Sequence, residues 1–110
     1  ITSLYEDQLG QIGIKTVVLP EDHEPVFLRY PVLVKDKRKL LKAAKNKRME
    51  IGDWFLSPVH PNLHGWERAG YQKGMCPNAE KICEYIINLP THQKIGEKEV
   101  ERIVEFIADN

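Results

Sequence analysis

Apolar positions along this chain recur in two periods, and the changes between them outline the elements. Ile1, Tyr5, Leu9 and Ile12 have a helix-like spacing that Gly10 and Gly13 bring to an end. Val17-Val18-Leu19 is a short strand candidate stopped by Pro20, and Glu21-Asp22-His23-Glu24-Pro25 is a loop by composition. Val26 to Val34 alternates with a period of two. Phe27, Arg29, Pro31 and Leu33 face one way, and Leu28, Tyr30, Val32 and Val34 face the other. Pro31 has no N–H to give a ladder, so its vacant donor position is expected to point away from a partner strand. Asp36 is placed to cap a helix from Lys37 to Arg48 with the apolar strip Leu40, Leu41, Ala43 and Ala44.

Met49 to Leu56 predicts a second strand anchored by Ile51, Trp54 and Phe55, with Gly52 marking a bulge or a close backbone approach. Pro77 suits the first turn of a helix. Ala79, Ile82, Cys83 and Ile86 continue that pattern at i, i+3, i+4 and i+7, so the helix is expected to run to about Leu89-Pro90. Leu89 to His92 is expected to be extended, because proline pushes its predecessor to the β region. The last helix spans about Glu97 to Ala108, with Val100, Ile103, Val104 and Ile107 as its buried stripe and early acids suited to the helix dipole. This order of elements describes an α+β fold: a small, mostly antiparallel sheet with helices packed on one face.

Composition narrows the function. A chain of 110 residues supports one domain with a modest core. A net charge of zero argues against a surface tuned as a whole for nucleic acid. Eight basic residues against one acid lie between Lys35 and Arg48, but no aromatic residue interrupts them to stack bases. That run is expected to be a solvated helix face, with nucleic-acid binding as a remote third possibility. No apolar run approaches the ~18 residues that span a bilayer. Cys76 and Cys83 are poorly spaced on a helix to bridge, so a reduced, cytoplasmic setting is expected. The chain starts at Ile1 rather than methionine, which suggests a fragment or processed product.

Candidate chemistry concentrates between Phe55 and His92, where three of the four histidines and both cysteines lie. His60 and His64 have a zinc-like spacing, but Pro58, Pro61 and Gly65 oppose a helix there. The two cysteines are spaced unlike zinc-finger pairs, so no metal site is expected. Cys83 reads as a small core residue. Cys76 paired with His60 or His92 lacks an identifiable third, orienting group. The chain has no Gly-rich phosphate loop and no nucleophile elbow. Arg29, His60, His64, Arg68 and His92 are groups suited to polar, anionic ligands.

Four motifs in order carry a resemblance: Leu28-Arg29-Tyr30-Pro31-Val32; Phe55 through Pro58-Val59-His60; Gly74 with Cys76-Pro77-Asn78-Ala79-Glu80; and Asn88-Leu89-Pro90-Thr91-His92. Together they resemble the C-terminal small domain of DegT-type sugar-nucleotide aminotransferases, which are pyridoxal-phosphate enzymes of fold type I. The resemblance implies a parent enzyme that transfers an amino group to a keto-sugar. Its large N-terminal domain would hold the cofactor and the aldimine lysine, and its active sites would lie at a homodimer interface. On that basis residues 1–110 are one small domain, with 1–13 the end of a linking helix. The chain is expected to close the substrate cleft through Arg29, His60 and His92, and to bind no cofactor and catalyse nothing alone. One departure stands out: Asp53 occupies a position where many relatives carry arginine, and an acid facing the cleft would repel a substrate phosphate or carboxylate. The alternative is a free-standing binding module that kept the fold without the chemistry.

Overall fold

The computed structural model describes residues 1–110. It contains α1 (Thr2–Gln11), β1 (Arg29–Leu33), α2 (Lys37–Asn46), a 3₁₀ turn (Trp66–Ala69), α3 (Pro77–Cys83), β2 (Ile86–Pro90) and α4 (Glu97–Ala108). β1 and β2 pair antiparallel, with Arg29 opposite Pro90, Tyr30 opposite Leu89 and Leu33 opposite Ile86. The fold is the expected small α+β arrangement, with its sheet reduced to a two-stranded ribbon.

Strand alternation divides the ribbon into two faces. Tyr30 and Val32 from β1 join Ile87 and Leu89 from β2 on the inner face, where α1, α2 and α4 cover them. α1 contributes Tyr5 and Leu9, α2 contributes Leu40 and Ala44, and α4 contributes Val100, Ile103, Val104, Phe106 and Ile107. Tyr5 stacks on Tyr30 with ring centres 5.4 Å apart, and its hydroxyl donates to the Pro90 carbonyl at 3.0 Å. Arg29, Pro31, Asn88 and Pro90 fall on the outer face.

Hydrogen-bond alternation explains both ribbon prolines. Val34 N donates to Tyr85 O, which sets the phase of the ladder. The Pro31–Asn88 and Arg29–Pro90 pairs therefore fall at positions without direct ladder bonds. Pro31 turns its missing donor to the free edge of β1, as expected. Asn88 turns its backbone the other way and exchanges two bonds with Gly52, at 2.8 and 3.0 Å.

Two helices end in the same device. After α1, Ile14 N bonds to Leu9 O and Gly13 N to Gly10 O, with Gly13 at φ 75°. After α2, Met49 N bonds to Ala44 O and Arg48 N to Lys45 O, with Arg48 at φ 53°. Both are Schellman closures, and the left-handed residue suits glycine far better than arginine. This closure stops α2 at Asn46 rather than at Arg48. At the other end of α2, Asp36 caps the helix as expected, accepting from Lys39 N at 3.0 Å. Such a cap contributes about 1 kcal/mol.

Four expectations are corrected. Val17-Val18-Leu19 forms no strand and has no pairing partner. The strand from Val26 begins only at Arg29, leaving Leu28 80% exposed. The expected strand from Met49 to Leu56 shrinks to the single Gly52–Asn88 bridge. The helix opened by Pro77 stops at Cys83, and Ile86 belongs to β2. The helical spacing of Ala79, Ile82, Cys83 and Ile86 is real, but Ile86 pairs with Leu33 in the ribbon. Consequently α3 has no buried residue, and its apolar Ile82 faces outward.

Candidate functional site

The segment from Glu50 to His60 crosses the outer face of the ribbon, and its path is set by Lys37. This lysine is the first residue of α2, where the helix dipole disfavours a cation. Its ammonium turns inward and donates to the backbone carbonyls of Asp53 (3.3 Å), Phe55 (3.1 Å) and Cys83 (3.1 Å). Lys37 is 7% exposed, so the expectation of a wholly solvated basic face fails at this residue. Desolvation holds its ammonium below the ordinary lysine range, an effect that the nearby negative charge of Asp53 partly offsets. The carbonyls that a strand from Met49 would have offered to a ladder are thus taken by a side chain.

Over this platform three side chains line up. The Arg29 guanidinium lies over the Trp54 ring, 5.4 Å from its centre, and the Trp54 and His60 rings are 6.1 Å apart. Phe55 meets His60 edge-on, with ring centres 5.5 Å apart. Leu56 N donates to His60 Nδ1 at 3.1 Å, so a neutral His60 carries its proton on Nε2 and presents it as a donor. Ser57, almost fully buried, ties the loop beneath: its hydroxyl donates to Asn62 O and accepts from Val59 N.

His92 reaches the same group from β2's exit. Its Nε2 lies 2.9 Å from Glu50 Oε2, and its Nδ1 accepts from Lys94 N at 3.3 Å. The other Glu50 oxygen is 3.9 Å from Arg29 Nη1. The structure therefore brings Arg29, His60 and His92 into one constellation, linked through Trp54 on one side and Glu50 on the other. The acid that reaches Arg29 is Glu50, not Asp53. Nearby, the buried Asn88 Oδ1 has no hydrogen-bond partner.

His64 and Arg68 are not part of this constellation; both are exposed and neither side chain makes a hydrogen bond. The Cys76 thiol is exposed and bonds to neither histidine. No group of three or more His, Cys, Asp or Glu residues is placed to hold a metal ion. No helix is long and apolar enough to cross a membrane.

A second built feature is the turn before α3. Glu80 reaches back from the helix, accepting from Tyr71 Oη at 2.7 Å and Gly74 N at 2.6 Å, while Tyr71 Oη accepts from Cys76 N at 3.1 Å. These bonds hold the Glu80 carboxyl below its ordinary range. Desolvation and the carboxylate together push the Tyr71 hydroxyl up to about 12. Gly74 and Glu80 thus belong to one motif because one bonds the other.

The sequence reading missed Glu50, Trp54 and Lys37 as positioning groups. Only Lys37 carried a signal, a base at the wrong end of a capped helix.

The fold is shared with part of a crystal structure of a DegT DnrJ EryC1 StrS aminotransferase from Brucella abortus. The TM-score is 0.79 at 18% identity, covering 98% of this chain and 28% of that one. The model of the DegT/DnrJ/EryC1/StrS aminotransferase family matches residues 1–108, and the chain belongs to that family. An uncharacterised protein of Methanocaldococcus jannaschii is 26% identical over 97% of this chain. The chain spans 29% of that relative's length.

The residues present do not fit pyridoxal phosphate. The buried lysine, Lys37, has its ammonium committed to three backbone carbonyls, and Arg29 already faces the Glu50 carboxylate.

Proposed function

We propose that this chain is the C-terminal small domain of a pyridoxal-phosphate-dependent aminotransferase acting on a keto-sugar, linked in its substrate to a nucleotide. In this reading it closes one side of the substrate cleft over a large domain that holds the cofactor and its lysine, within a homodimer. The observation that carries the reading is the Arg29–Trp54–His60 cluster on the outer face of the ribbon, whose Arg29 and His60 come from two of the motifs that carry the resemblance, with Trp54 immediately before the second. Arg29 and His60 offer donors, Trp54 offers a ring face, and His92 acts through Glu50. The half-exposed Phe55, Leu63, Met75 and Ile82 supply apolar surface for the large domain.

Comparing the full-length protein with residues 1–110 alone tests this. Only the full-length protein is expected to bind pyridoxal phosphate and to aminate a nucleotide-linked keto-sugar from a panel of amino donors. Arg29→Ala and His60→Ala are expected to raise KM about tenfold or more while changing kcat less. Stoichiometric cofactor binding by the 110 residues alone would overturn the division of labour. Unchanged KM in both variants would remove these residues from the cleft.

A further inference from the structure

Glu50 changes what the Arg29 wall can accept. An arginine beside an aromatic ring ordinarily suits a carboxylate or phosphate, but a ligand anion arriving here meets a carboxylate already in place. Glu50 is held from two sides, by the Arg29 charge at 3.9 Å and by His92 at 2.9 Å. His92 is itself fixed, because its second ring nitrogen is occupied by Lys94 N. Both ring nitrogens of His92 are thus occupied, Nε2 by Glu50 and Nδ1 by Lys94 N, and neither is left for a ligand.

The groups left open are of a different kind. His60 presents Nε2–H, since its Nδ1 is taken by Leu56 N. Trp54 exposes 43% of its surface beside it. The Glu50 oxygens retain acceptor capacity beyond their present contacts. A donor, a carboxylate acceptor and an indole ring match hydroxyl groups and the C–H face of a sugar ring. The Arg29 charge, offset by Glu50, adds little attraction for an acid.

We propose that Glu50 is a specificity-determining residue that admits a neutral, hydroxyl-bearing sugar ring at this wall and rejects one carrying an acid group. This rests on the assignment of Arg29, Trp54 and His60 to the substrate cleft, and it places any phosphate of the substrate away from Arg29.

The test uses the full-length protein and two probes, glucose and glucuronate, which differ in the acid at C6. In the wild type, glucose is expected to bind about tenfold tighter than glucuronate; in Glu50→Gln the two are expected to fall within about twofold of each other. Glu50→Asp keeps the charge and is expected to keep the wild-type preference, which guards against a Gln variant that fails to fold. A glucose-to-glucuronate ratio that does not move in Glu50→Gln overturns the proposal, as does failure of either sugar to bind any of the three proteins. His60→Ala separates this proposal from the cleft assignment. Loss of glucose binding supports both. Unchanged glucose binding alongside a shifted Glu50→Gln ratio removes His60 from the cleft and leaves the charge filter to Glu50, Arg29 and Trp54.

Discussion

The Lys37 ammonium donates to the Cys83 carbonyl at 3.1 Å, joining the first turn of α2 to the last turn of α3 across 46 residues. The same ammonium holds the loop that carries Trp54 and His60, through the carbonyls of Asp53 and Phe55. Replacing Lys37 with methionine keeps most of the volume and removes every donor. Three carbonyls then lose their partner, and the expected loss is about 2–4 kcal/mol in urea unfolding. Cys83 is expected to react faster with a thiol reagent in this variant, because α3 has no buried residue of its own to keep it in place.

Arg48 offers the opposite outcome. It is a non-glycine residue at φ 53° in a closure that α1 makes with glycine. Arg48→Gly relieves the left-handed backbone and is expected to stabilise the protein by up to about 1 kcal/mol, against the extra chain entropy of glycine when unfolded. A thermal melt checks the sign. Gly13→Ala, at φ 75°, is expected to move the other way.

Tyr5 fixes α1 to the exit of β2. Tyr5→Phe preserves the stack on Tyr30 and leaves the buried Pro90 carbonyl without its donor, so a loss of about 1 kcal/mol is expected. Tyr5→Ala also opens a cavity beside Tyr30 and is expected to cost about 3–5 kcal/mol by chemical denaturation.

The turn from Tyr71 to Glu80 is expected to hold best between two pH limits. Glu80 titrates lower in the fold than its ordinary value of 4.5, so its contribution is complete above 4.5 and is lost as pH falls through the folded value. Tyr71 is raised from 10.0 to about 12, so its contribution is complete below 10.0 and is lost as pH rises through about 12. Trp66 stands edge-on to Tyr71 at 5.7 Å and reports the turn by fluorescence in a Trp54→Phe background. Glu80→Gln is expected to abolish the acid limb of that titration.

The helices facing the ribbon were legible because each buries one stripe, and burial writes a period of 3.6 into Tyr5 and Leu9, Leu40 and Ala44, or Val100 to Ile107. α4 was legible to its ends. The segment from Met49 was misread because apolar anchors reveal extension but not the partner of each carbonyl; a lysine side chain took the place of a strand. The segment from Pro77 was misread because Ile86 satisfies both a helical and a strand pattern, and only pairing with β1 decides between them. In the candidate site, Arg29, His60 and His92 stood out as chemistry-bearing side chains. Glu50 did not, because its link to His92 spans 42 residues and leaves no local spacing to read.

Pro31 has a consequence for how the protein behaves in company. β1 is five residues long and is paired on one side only, leaving the kind of edge on which another chain can template a new strand. Its central residue has no N–H to offer, so an incoming strand would meet a gap in the middle of its ladder. On this edge the ribbon is therefore self-terminating, because the ladder's phase turns the proline toward the incoming strand.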